Sequence, residues 1–118
     1  MKLEICANSY QSAINAQKAG ADRVELCSEL SAGGITPSYG FLKKVSKEIS
    51  IPVHVLIRPR SGDFRYSDDE FEIMKKNIKL CKEFGFNGIV SGVLNADNSI
   101  DIQRTKELIT LSKPLSLT

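Results

Sequence analysis

The chain has 118 residues, 42% of them hydrophobic and 25% charged, which is the make-up of one soluble globular domain and excludes a disordered tail or a chain of membrane spans. Sixteen basic and fourteen acidic side chains leave a net charge of +2, with Lys and Glu mixed along the chain, so nothing in the charge calls for nucleic acid or an anionic membrane as partner. The start, Met1-Lys2-Leu3-Glu4-Ile5-Cys6, carries charge and no apolar run long enough for a signal peptide or span, and it reads as cytoplasmic.

Short strand-like runs alternate with longer helical runs, the pattern of parallel strands joined by crossover helices. The first strand is expected over Lys2 to Cys6. A helix follows, capped by Asn8 or Ser9 and closed by Gly20. The second strand covers Arg23 to Cys27, and the second helix opens at Thr36-Pro37 with Leu42, Val45 and Ile49 on one face. Val53 to Arg58 is the third strand. The third helix begins with a capping box, Ser67 to Glu70, carries the stripe Phe71, Met74, Ile78 and Cys81, and ends at Gly85. Gly88 to Gly92 is the fourth strand. The fourth helix starts near Asp101, turns Ile102, Leu108 and Ile109 inward, and stops before Pro114, leaving Leu115 to Thr118 as a fifth strand.

Open parallel sheets bury both faces and read as continuous apolar runs. These strands alternate instead: Leu3 and Ile5 with Lys2, Glu4 and Cys6; Val24 and Leu26 with Arg23, Glu25 and Cys27; Val53, Val55 and Ile57 with His54, Leu56 and Arg58. If the apolar set meets the helices, the polar set faces the inside of a (β/α) barrel, with Cys6, Cys27 and Arg58 nearest the C-terminal mouth where barrel chemistry sits. A whole barrel takes about 250 residues. The expected fold is therefore a TIM (β/α)8 barrel cut to four βα units and a fifth strand, a single partial domain whose two unpaired edges favour self-association.

Glu4 and Glu25 fall at equivalent places on neighbouring strands. Carboxylates that close resist joint ionisation and would make a general acid or base; alternatively each is paired with a basic side chain and is structural. Cys6 and Cys27 end the same two strands on the same face. Two thiolates there suit a soft monovalent ion such as copper(I), although buried cysteines also serve as small hydrophobes, as Cys81 does in its helix stripe. The three cysteines are far apart in sequence and show no disulfide pattern. Arg58 and Arg60, beside a Gly-containing turn at the end of the third strand, form a candidate fork for a phosphate or carboxylate, or salt-bridge their neighbours. The loop Ser28 to Thr36 brings Gly33 and Gly34 to the second helix, as a turn or as a second approach to an anion. His54, the one histidine, lies early on its strand and reads as a hydrogen-bonded core residue. No GxGxxG, Walker loop or HExxH is present.

Five segments together carry a family resemblance: Leu3-Glu4-Ile5-Cys6, Gly20 to Cys27, Gly33-Gly34-Ile35-Thr36-Pro37-Ser38, Val55 to Arg60, and Gly62-Asp63-Phe64-Arg65-Tyr66-Ser67. In content and order they resemble the CutC, or copper homeostasis, family. The resemblance implies a TIM barrel, a cytoplasmic homo-oligomer and copper handling, with Cys6 and Cys27 matching the cysteines implicated in copper(I) binding. It covers the first half of a family member, which would continue with a Phe-His-Arg segment and three more strands. Two functions follow as expectations: copper(I) held by Cys6 and Cys27, or an enzyme in which Arg58 and Arg60 hold a small anionic metabolite while Glu25 or Glu4 moves a proton.

Overall fold

The computed structural model describes all 118 residues. In chain order it has β1 (Glu4–Ala7), α1 (Tyr10–Lys18), β2 (Arg23–Leu26), a 3-10 turn (Leu30–Ala32), α2 (Tyr39–Glu48), β3 (Val53–Leu56), α3 (Asp68–Glu83), β4 (Gly88–Val90), α4 (Ile102–Ser112) and β5 (Ser116–Leu117). The strands form one sheet in the order β1-β2-β3-β4-β5, and every neighbouring pair is parallel. A doubly wound sheet reverses its winding at a switch point. This one does not, so right-handed crossovers lay the helices on a single face.

The strand period decides what goes where. Val24, Leu26, Val53, Val55 and Ile89 point to the helix side and, with Ile57 just past β3, join Leu42, Val45, Phe71, Met74, Ile78 and Leu108 in one buried core. The alternate residues face the other way: Glu4 and Cys6 are exposed and Arg23 and Glu25 half-buried.

Local signals set the helix ends. Ser9 caps α1 by a reciprocal box with Ser12, and Gly20 follows with φ +91°, a backbone state that penalises any β-carbon. The Ser67–Glu70 box opens α3 as the sequence predicts, with Asp68, Asp69 and Glu70 at the positive end of the helix dipole. Two expectations shift. The cap of α2 is Ser38, whose hydroxyl accepts from the Phe41 amide, because Thr36 is already bonded to the backbone of Arg58. On α4 only Leu108 and Ser112 are fully buried, with Leu111 partly so; Ile102 and Ile109 are 64% and 41% exposed, since the inward face runs through positions three and four apart.

The core face of α3 is the simplest to test. Met74 is fully buried and its neighbour Ile73 is 49% exposed. Urea unfolding should show Met74→Ala losing about 2–5 kcal/mol and Ile73→Ala within about 0.5 kcal/mol of wild type. Equal losses would mean that α3 is rotated from the described face.

Candidate metal centre

The ladder between β1 and β2 pairs Glu4 with Arg23 and Cys6 with Glu25, and the row continues from Glu25 to His54, from His54 to Gly88 and from Gly88 to Ser116. Residues paired this way share a face, so Cys6, Glu25 and His54 stand in one line across the face opposite the helices. This corrects the expectation that Glu4 and Glu25 are level. The register is offset by two residues: Glu4 lies opposite Arg23 and accepts a hydrogen bond from its Nε–H, the structural alternative, while Glu25 lies opposite Cys6. The glutamates are diagonal neighbours, and they still feel each other. The Glu25 carboxyl is pushed up by burial first and by the Glu4 charge second, against the opposing pull of the Cys6 thiol and Arg23.

His54 is buried with its ring flat against the β4 backbone. A β-carbon at Gly88 would stand 2.7 Å from its Cε1, so glycine is required there for the imidazole to fit. Burial, then the positive charge of Arg23, hold the imidazole pKa below its ordinary value. Its Nδ1 has no hydrogen-bond partner within the protein, so it is a core residue without the bond the sequence suggested.

The two cysteines differ in access. Cys6 is exposed, and its thiol donates to Glu25 Oε2 at 3.8 Å. Cys27, two residues beyond Glu25 toward the C-terminal end, is only 3% exposed. One strand spacing and two residue rises put the backbones of Cys6 and Cys27 roughly 8 Å apart. That is too far for a disulfide, whose α-carbons stand within about 7 Å. It suits an ion between the sulfurs, which need approach only to about 4.6 Å, twice a metal–thiolate bond. All three cysteines are free thiols, and no three His, Cys, Asp or Glu side chains are gathered as a metal cage. Burial and the charges of Glu25 and Glu4 raise the Cys6 pKa; burial and the neighbouring Cys6 and Glu25 raise that of Cys27. A cation held by both sulfurs would have to displace their protons. Cys81, pushed up to about 12 by burial inside α3, is inert.

Arg58 and Arg60 do reach the C-terminal end of β3, but the terminal nitrogens of both are already engaged. Arg58 is buried and gives Nη1 to the carbonyls of Ala32 (3.0 Å) and Gly34 (2.8 Å) and Nη2 to that of Gly62 (2.7 Å). Arg60 bonds the Glu70 carboxylate, Asp63 Oδ1 (3.1 Å) and the Arg65 carbonyl (2.7 Å). Both guanidinium groups hold loops: Arg60 pairs with neighbouring carboxylates, the alternative the sequence left open, whereas Arg58 uses carbonyl acceptors, which leave no side-chain signature. Gly34, for which the sequence offers a turn or an anion contact, lies directly on Cys27, where a β-carbon would come within 3.7 Å of the sulfur.

The family model for the CutC family matches residues 1–118, the entire chain. The chain belongs to the CutC family. A CutC family protein from Salmonella paratyphi A is 49% identical over 116 residues, covering 98% of this chain and 47% of the relative, and one from Salmonella typhimurium is 48% identical over the same span. A crystal structure from Streptococcus agalactiae, described as a candidate copper homeostasis protein CutC, superposes with a TM-score of 0.90 at 39% identity, covering 99% of this chain and 58% of that one. The chain thus spans about half the length of the curated CutC relatives it matches. No helix in it is long and apolar enough to cross a membrane.

The carboxylates that raise the Cys6 pKa make a kinetic prediction. Glu25→Gln removes one of them, so the pH midpoint for alkylation of Cys6 by iodoacetamide should move down, because the thiolate forms more readily. An unchanged or higher midpoint would contradict the Cys6–Glu25 pairing.

Proposed function

We propose that this CutC-family chain binds copper(I) as cargo through the thiolates of Cys6 and Cys27, at the C-terminal ends of the first two strands of a TIM barrel. The observation that carries the reading is the pair of free cysteines on one inner face of adjacent parallel strands, too far apart to bond each other. Thiolate pairs select soft ions, and copper(I) accepts two or three ligands where magnesium and calcium require six or more oxygens. The name of the Streptococcus relative supports the same metal. The sequential parallel sheet, with its helices on one face, supports the barrel, and a cytoplasmic homo-oligomer is the setting we assign to it.

The reading is tested by anaerobic copper(I) titration against a competing chelator. Wild type should bind one ion per chain, Cys6→Ser and Cys27→Ser should each abolish tight binding, and magnesium should not compete. Because both thiol pKa values are raised, the metal-free site is protonated at neutral pH, so affinity should climb as pH rises through the alkaline range. Binding that ignores either cysteine, or falls with pH, would overturn the proposal.

A second reading, an enzyme acting on a small phosphate or carboxylate at the same mouth, is favoured by two features. The Glu25 carboxyl is raised toward a useful general acid or base, and Arg58 Nε and the Tyr66 hydroxyl are buried without partners. It requires Arg58 to turn from carbonyls to a ligand.

A further inference from the structure

We propose that Arg58 is a positioning residue that latches the Ser28–Ile35 loop over Cys27 and so controls how fast a soft cation reaches the buried thiol; the role of that access rests on the copper(I) reading. The loop is a small clasp. Ser28 and Ile35 exchange both backbone hydrogen bonds (2.9 and 2.8 Å), and between them Glu29, Gly33 and Gly34 all have positive φ, at 51°, 86° and 90°. Such a backbone is unfavourable for a non-glycine residue and persists only where its surroundings fix it. The amides of Ala32 and Gly34 hold the Glu29 carbonyl from within the loop, and Arg58 adds a tie from outside it. Its guanidinium bonds the Ala32 and Gly34 carbonyls of the clasp and, through the other nitrogen, Gly62 of the next loop. Its backbone completes the tie: the Arg58 amide donates to the Thr36 hydroxyl at 2.8 Å, and the Thr36 amide donates to the Arg58 carbonyl at 3.0 Å. The Phe64 ring packs on the guanidinium, with its centroid 5.0 Å from Cζ.

The consequence is at Cys27. Gly34 is held down on the Cys27 side chain and on Leu56, so closely that a β-carbon on it would meet Leu56 Cδ2 at 2.8 Å. Cys6 on the neighbouring strand has no such cover and is exposed. The latch therefore divides the pair into an open thiol that meets a cation first and a covered thiol that completes the site only when the clasp lifts. A surface loop whose ties to the sheet are few can open locally without global unfolding.

The test is the rate of iodoacetamide labelling at each cysteine, read by peptide mass spectrometry, with Cys81 as internal reporter of global unfolding because it is fully buried in α3. Arg58→Met cuts the latch directly. Gly34→Ala strains the clasp from the other side while the Arg58 side chain is retained, and Arg58→Lys keeps the charge but loses the fork. Arg58→Met should label Cys27 about tenfold faster or more, since a lost bond to a charged donor favours opening by at least that factor, and Gly34→Ala should also raise Cys27 labelling, through the positive φ and the clash with Leu56. Arg58→Lys should fall between them and wild type, and Cys81 should stay at its wild-type rate throughout. Unchanged Cys27 labelling in Arg58→Met and Gly34→Ala, or Cys27 and Cys81 rising together, would overturn the latch. Copper(I) association followed on the same variants separates the two claims: faster association joins them, whereas a wild type that binds no copper(I) removes the metal and leaves the labelling result to decide the latch.

Discussion

The parallel ladder of β1 on β2 is the constraint from which the rest follows. Because side chains alternate with a period of two, the ladder sends Val24 and Leu26 to the helices and Glu25 and Cys27 to the opposite face. Its register then chooses neighbours on that face: Cys6 beside Glu25 and Glu4 beside Arg23. A slip of one residue would turn the charged set into the core, so the apolar side of the sheet fixes the chemistry of the polar side. The thiol–carboxylate contact, the raised carboxyl of Glu25 and the diagonal spacing of the cysteines are all products of that register.

Arg58 shows how a buried charge can be spent on architecture. A guanidinium removed from water needs replacement partners, and here three backbone carbonyls provide them without an acidic side chain. The cost of burying the charge is offset by ordering two loops that have little apolar packing of their own. Arg60 does the same for the turn before α3, using Glu70, which also closes the helix cap. One carboxylate thereby joins loop and helix, and its pKa is held down by the Ser67 amide first and by Arg60 next.

Much of this was readable from the residues. Alternation in the strands named the core face, and the Ser67–Glu70 box and Gly85 bounded α3, because capping and periodicity are local properties. What sequence could not supply was register, which depends on how β1 slides against β2; this is why Glu4 and Glu25 looked level. It also could not show where Arg58 points, since an arginine beside a glycine turn looks the same whether it awaits an anion or holds carbonyls. The cover of Cys27 by Gly34 is a contact between strand and loop, visible in the chain only as a Gly-Gly pair. Ile102 and Ile109 looked like core for a similar reason: apolar identity says that a side chain prefers burial, not that a neighbour is present to bury it.

The central claim, that Cys6 and Cys27 form one soft-metal centre, is most directly tested by X-ray absorption at the copper edge of the copper(I)-loaded chain. The account predicts a first shell of sulfur alone, two atoms per copper, lost when Cys27 is replaced by serine. A shell of nitrogen or oxygen, or a sulfur shell that survives Cys27→Ser, would contradict it.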